Sequence, residues 1–453
     1  MTLTKLLGII HKENLNKTFS SRKETTMKKK ILALLAVLCI SVFALFAFSA
    51  CGNDNDGGAD GETINITWWD LNEHLTGIDS IIASFESQNP GITVTTAGHS
   101  NETLHQNLQI SAMNDTLPSM WFMWGGALGG RYVQYGVSRD LTSFANANNW
   151  NQVFTPASLQ LATLHGELAG FPRAMNILAV YYRRDIFEDL GLSHPTTMAE
   201  FHTLVETIHA AGITPINTAS VPGWHIMRLW EQFLEHYAGA VQHDQLQIFE
   251  IPWEGNQAVI DSFATFQRYA QSGFFPDGFI SMEAGDLTLL LYPGFSAMQI
   301  EGPWFDSSII NDQQDIELYG IFPLPNGGTN RLSAFGEMYM FNDNLTDEEL
   351  EAAVAFLHYF FEQHNVDTHP NLFGVPIPQI GREGGIPAEQ VNVPAIFATG
   401  SVNGTFTISD QALPPIVVDA LFNVLDYVAL GTMTPEEAAA FMQRGIERHQ
   451  QEG

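Results

Sequence analysis

The sequence predicts an α/β fold arranged as two domains. A strand–helix–strand unit opens the folded region, helix start signals alternate with strand-like runs beyond it, and about 400 residues follow residue 50. That length exceeds what one hydrophobic core usually organises, so two domains are expected.

"ETINITWW" (62–69) alternates and is rich in β-branched residues, which reads as a strand. "IDSIIASFESQNPG" follows, with Ile78, Ile81, Ile82 and Phe85 at helical spacing and a stop at Asn89-Pro90-Gly91. "ITVTTAG" is a second strand, and the three together form a βαβ unit with parallel strands. Capping boxes at Thr197/Glu200, Thr346/Glu349 and Thr434/Glu437 mark three helix starts, the last with Pro435 at the first helical position. The first opens "MAEFHTLVETIHAAG", where Met198, Phe201, Leu204, Val205 and Ile208 form one apolar stripe ended by Gly212. "LAVYY" and "GIFPL" read as strands.

Ahead of this region, "MKKK" (27–30) precedes an apolar run from Ile31 to Phe48 and the small residues Ser49 and Ala50. These are the three parts of a secretory signal, with Met27 a plausible start. The run is also just long enough for a membrane-spanning helix. "FSAC" resembles a bacterial lipobox, which implies that Cys51 is lipidated and that residues 51–61 form a hydrated, flexible tether. Cys39 leaves with the signal, so no internal disulfide and no cysteine-based metal or redox site is expected.

Beyond residue 50 the chain holds 11 basic and 48 acidic residues and no lysine, a formal charge near −37. Nucleic acid is thereby excluded as a partner, because phosphates require a basic face. Unaided binding to anionic lipid is excluded for the same reason, so membrane contact is expected through the anchor alone. There is no HExxH, no paired histidine spacing, no phosphate loop and no GxSxG elbow, and neither a metal nor a cofactor is expected. Carboxylates are abundant enough that a glycosidase-type pair is compatible with composition.

Five stretches, in order, resemble the extracellular solute-binding proteins of sugar ABC importers, the maltose-binding-protein-like family. They are "FESQNPGITV", "LPSMWFMWGGALGGRYVQYGVSRDLTSF", "GELAGFPRAMNILAVYYRRDIFEDLGLSHPTTMAEF", "SAMQIEGPW" and "IFPLPNGG", within about residues 62–365. The resemblance implies a type II periplasmic-binding-protein fold with two α/β lobes, a ligand cleft and hinge crossovers. The first lobe would be 62–170 plus about 336–374, and the second 171–335 plus about 375–453. It also implies a monomeric, lipid-anchored, outward-facing receptor, not an enzyme, that captures a sugar and passes it to ABC permease subunits. A secreted carbohydrate-active enzyme and a receptor for peptides or another solute are the alternatives.

Ligand sites in open parallel sheets form at the carboxyl ends of strands. Sugars offer flat C–H faces to aromatic rings and hydroxyls to polar side chains. Of Trp68 and Trp69 one ring faces the core and the other the cleft. Trp69, Asp70 and Glu73 are candidates at the end of the first strand, and Trp124 and Gly125 at the Trp-Gly-Gly loop. By the resemblance Asn176 lies in the first crossover, and Glu337 near the second. Trp304 matches a stacking aromatic of sugar-binding relatives, with Glu301 beside it. Trp224 and Trp253 contact ligand or pack the second lobe, and Arg173 is a contact or a surface residue.

Overall fold

The computed structural model describes residues 63–373, 375, 377–381 and 386–452. The signal region, the tether and Cys51 lie outside the described residues. The described residues begin with β1 (Ile64–Leu71), α1 (Asn72–Leu75), α2 (Asp79–Gln88), β2 (Ile92–His99), α3 (Asn101–Met113), β3 (Met120–Trp124) and α4 (Gly126–Gln134). A two-residue ribbon, β4 (Thr163–Leu164) with β5 (Glu167–Leu168), leads to β6 (Phe171–Ile177) and β7 (Ala179–Arg183). Next come α5 (Met198–Ala210), β8 (Thr214–Ile216), α6 (Trp224–Gln247) and α7 (Gln257–Gln271). Then follow β9 (Ser296–Glu301), α8 (Trp304–Asn311), β10 (Tyr319–Phe322), β11 (Leu332–Phe341) and α9 (Asp347–Phe360). The chain ends with β12 (Thr405–Thr407), α10 (Ser409–Ala412), α11 (Pro415–Ala429) and α12 (Pro435–Glu452).

Two sheets organise two lobes. The first sheet runs β12-β11-β3-β1-β2, with β6 also against β11. In it β1 is parallel to β2 and β3, while β11 is antiparallel to β3 and β6. The second runs β10-β7-β9-β8, mostly antiparallel, with β8 parallel to β9. The parallel β1–α2–β2 unit forms as its hydrophobic spacing requires: Ile78, Ile81 and Phe85 are buried and Ile82 is partly so. Met198, Phe201, Leu204, Val205 and Ile208 are all buried, as one stripe of α5. All three capping boxes are made. Each ties two backbone donors that a helix start leaves unpaired.

Each sheet carries its own core. In the first lobe, Trp68 is fully buried and meets Tyr339, Phe356 and Phe360 edge-on at 5.4, 5.7 and 5.8 Å. In the second, α5, α6, α7, α11 and α12 enclose a cluster that includes Phe201, Trp230, Trp253, Phe263 and Leu421. The connections differ from the expected division at residues 170/171. Strand β6 pairs within the first sheet, and only β7 enters the second. Likewise β12 joins the first sheet although the helices after it pack in the second lobe. Strand pairing, fixed by partners more than seventy residues away, sets these positions.

One irregularity shapes the junction. Between β6 and β11 the register passes from Glu337↔Ala174 to Met338↔Pro172. Arg173 is thus the extra residue of a β-bulge, a device that re-aims a side chain. It is buried, not a surface residue.

Candidate functional site

The carboxyl ends of β1 and β3 build the first wall. Asp70, fully buried, accepts from its neighbour's backbone, Leu71 N, at 2.7 Å and pairs with His74 Nδ1 at 2.7 Å. The His74 ring lies 4.9 Å from Phe122, and Phe122 meets Trp124 almost perpendicularly at 4.5 Å. His105, from α3, stacks on Trp124 at 5.0 Å with 19° between the planes. Burial, with help from the nearby Arg131 charge, lowers the His105 pKa to about 4, so this imidazole is neutral at neutral pH. Trp124 stays partly exposed and touches both cores.

The bulge brings Arg173 into the same wall. Its Nη1 donates to Glu337 Oε2 at 2.5 Å, its Nε to the Tyr339 hydroxyl at 3.2 Å, and its guanidinium faces the Phe122 ring at 5.6 Å. Glu337 stands opposite Trp124 across the β3–β11 ladder. Ser333, Phe335 and Glu337 share one face of β11, because alternate residues of a strand point the same way. Ser333 reaches Glu231 of α6, and Phe335 lies 5.6 Å from Trp304. The crossover strand therefore links the first wall to a second one. Asn176, opposite Phe335 on β6, is buried, and its amide nitrogen has no hydrogen-bond partner among the described residues.

The second wall comes from α6, the end of β9 and the start of α8. Glu301 is its centre. It accepts from Arg228 Nη1 at 2.8 Å and from the Trp304 indole N–H at 3.1 Å. His225 Nε2 and Gln299 Nε2 lie 3.2 and 3.3 Å away. Burial pushes the Glu301 pKa up, but Arg228 and His225 more than offset it, and the carboxyl sits below its ordinary value. The Arg228 guanidinium is held between two rings, 4.4 Å from Trp224 and 5.3 Å from Trp304. Gly302 makes this possible: a Cβ there would lie 2.0 Å from the Trp304 ring.

The floor is the third connection between the lobes. Ser409 N donates to Glu231 Oε2 at 2.8 Å, while Ser333 Oγ donates to Oε1 at 2.5 Å. Burial raises the Glu231 pKa to about 8 against these hydrogen bonds. Gln411 reaches the Trp-Gly-Gly loop, where Gly126 has a φ of +61° and a Cβ would lie 1.8 Å from the Gln411 carbonyl oxygen. Only glycine permits that approach.

An aromatic and charge-paired surface thus lies where the two lobes meet. The profile of bacterial extracellular solute-binding proteins matches residues 68–364. The chain belongs to this family. The galactooligosaccharide-binding protein of Bacillus subtilis (strain 168) is similar to it, 23% identical over 350 residues that cover 73% of this chain and 76% of that protein. Among solved structures, a chitin oligosaccharide binding protein superposes with a TM-score of 0.73 at 23% identity, covering 85% of this chain and 98% of its own. The solute-binding protein RafE in complex with raffinose has a TM-score of 0.68 at 18% identity, covering 84% and 98%. The fold is thus the two-lobed type II binding-protein fold. No helix among the described residues is long and apolar enough to cross a membrane.

Within this solute-binding fold the sequence candidates separate. Trp124, Gly125, Asn176 and Glu337 fall at the first wall and the crossovers, and Trp224, Glu301 and Trp304 form the second wall. Asp70 lies beneath the first wall as the support of His74. Trp69 is partly buried at the end of β1, edge-on to His99 at 5.1 Å, and Glu73 is exposed on α1. Trp253 is a correction. It is 1% exposed, donates its indole N–H to Leu246 O at 3.0 Å and stacks near Trp230, so it is core.

His105, His225, Arg228, Asp410 and Gln411 join the site without having been singled out in the sequence. Helix α6 offered a signal: His225, Arg228, Glu231, Gln232 and Glu235 of "WHIMRLWEQFLE" recur at three- and four-residue spacing on one face, and all five are buried, so this polar stripe faces partners inside the protein rather than water. Nothing in "TISDQALPP" marks Asp410.

Proposed function

We propose that this solute-binding protein captures a saccharide between its lobes and presents it to an ABC permease. The observation that carries this reading is the second wall, where Trp224 and Trp304 flank an Arg228–Glu301 pair. Indole faces suit the C–H faces of a sugar ring, and a charge-paired arginine and glutamate suit its hydroxyls. The match to the family and the oligosaccharide ligands named for similar proteins support the same class. The Arg173–Glu337 and Arg228–Glu301 pairs each balance their own charge, which favours an uncharged sugar over an acidic one.

The lobes close on the ligand by bending at the β6, β11 and β12 connections, and no bond is broken. The protein acts as a monomer held outside the cell by lipid on Cys51, which supplies more than one chain to the membrane. Small-angle scattering with and without the saturating sugar tests the mechanism, with product analysis of the same incubation. A smaller radius of gyration with intact sugar is expected. Released products would make the protein an enzyme, and an unchanged radius would make the site rigid.

A further inference from the structure

The charged network of the second wall leaves two atoms unused. Arg228 Nη1 is committed to Ile300 O at 3.0 Å and Glu301 Oε2 at 2.8 Å. Its Nε is buried and has no hydrogen-bond partner among the described residues. Asp410 Oδ1 is likewise buried without a partner among them. A buried donor and a buried acceptor left unpaired are costly.

The topology sets these groups near each other. Arg228 and Glu231 share one face of α6, three residues apart. Glu231 holds the backbone N–H of Ser409, so Asp410, the next residue, lies beside the turn that carries Arg228. Gln411, one residue on, reaches the Trp-Gly-Gly loop of the first lobe. Asp410 thus sits where the third connection crosses the floor of the cleft. Burial raises its pKa to about 6, opposed by the Arg228 charge and by the backbone N–H groups of Asp410 and Gln411. Yet the two opposite charges do not bond each other.

One group satisfies both atoms at once: a hydroxyl, which donates through its hydrogen and accepts through its lone pairs. We propose that Asp410 and Arg228 form a hydroxyl-reading pair, in which one ligand hydroxyl donates to Asp410 Oδ1 and accepts from Arg228 Nε. The inference rests on the saccharide reading and deepens it. Trp224 and Trp304 hold the sugar by its faces, and the pair selects the position of one hydroxyl. A site built around a hydroxyl rejects the analogue lacking it, because both protein atoms are then left unpaired.

The test is calorimetric titration of wild type, Asp410→Ala and Asp410→Asn with raffinose, maltotriose and chitotriose, and then with monodeoxy derivatives of whichever sugar binds. For wild type, one deoxy derivative is expected to bind at least ten-fold more weakly than its parent. Asp410→Ala should bind the parent about ten-fold more weakly and no longer distinguish that derivative. Asp410→Asn keeps a carbonyl acceptor and the residue's volume, and is expected to retain the discrimination in part. It also guards against misfolding, since removing a buried carboxyl whose ionisation is disfavoured should leave its melting temperature equal or higher. Wild-type affinity in both variants would overturn the pair while leaving the saccharide reading intact. Unchanged deoxy discrimination in Asp410→Ala would do the same. Failure of every sugar to bind wild type would overturn both.

Discussion

Truncating Trp304 separates a ligand-facing ring from a packing ring. Trp304→Ala removes an indole that is partly exposed, not buried. It loses one N–H bond to the Glu301 carboxylate, one face of the Arg228 sandwich and the Phe335 contact. A bond to a charged group contributes about 1.5–3 kcal/mol and an exposed cation–π contact about 0.5–1 kcal/mol. Glu301 retains Arg228 and His225, so the carboxylate is not stranded. The expected cost in stability is about 2–4 kcal/mol, which overlaps the 3–5 kcal/mol typical of deleting a fully buried aromatic, so affinity is the readout that separates the two cases. Affinity should fall about ten-fold, since one good aromatic contact contributes roughly 1–1.5 kcal/mol. Trp253→Ala is the matched control. That ring is 1% exposed in the second core, and its loss should cost about 3–5 kcal/mol while leaving affinity unchanged in the fraction that folds. Urea melts and calorimetric titrations of both variants make the comparison. If Trp304→Ala loses stability like Trp253→Ala and binds sugar like wild type, the second wall is packing and the reasoning fails.

Three further outcomes are expected. Cys51→Ser should move the protein from the membrane fraction to the medium or periplasm; retention in the membrane would show that the apolar segment itself is the anchor. His105→Phe keeps a ring on Trp124 but cannot titrate. Because burial lowers the pKa of His105 from 6.5 to about 4, the unfolded state binds its proton first as pH falls. Wild type should therefore lose about 2 kcal/mol more than the variant between pH 7 and pH 5, and equal losses in urea melts would contradict the buried imidazole. Glu231→Gln tests the opposite sign. With its pKa raised to about 8, Glu231 binds a proton in the folded state that the unfolded state releases above about pH 4.5, so wild type loses stability as pH rises from there to about 8. The variant should lack that decline, by up to about 1.4 kcal/mol per pH unit, and parallel curves would place Glu231 in a solvated setting.

The parts of this protein that were legible in its sequence are those governed by neighbours in the chain. Capping boxes need residues three apart, and the stripe of α5 needs one helical period, so both follow from short windows. The Trp-Gly-Gly loop and Trp304 were legible because strand ends and Gly-Pro turns are local marks. Arg173 was not, because its bulge depends on the register between β6 and a strand more than 150 residues later. Trp253 lies near Pro252 and Gly255, which suggests an exposed loop, yet its ring is captured by the helix before it. Glu231 binds Ser333 and Ser409, 102 and 178 residues away. No local pattern encodes that clasp, or the seat of Asp410 that depends on it.

The central claim is that the surface between Trp124, Trp224 and Trp304 binds a saccharide. Thermal-shift measurement of the purified protein against neutral oligosaccharides, acidic sugars and oligopeptides tests it most directly, since a ligand of the folded state stabilises by mass action. At a hundred-fold excess over its dissociation constant, a cognate sugar should add about 2.7 kcal/mol, a shift of several degrees. The account predicts such a shift with at least one neutral oligosaccharide, and its loss in Trp304→Ala. A shift with peptides alone, or a sugar shift that survives unchanged in Trp304→Ala, would contradict it.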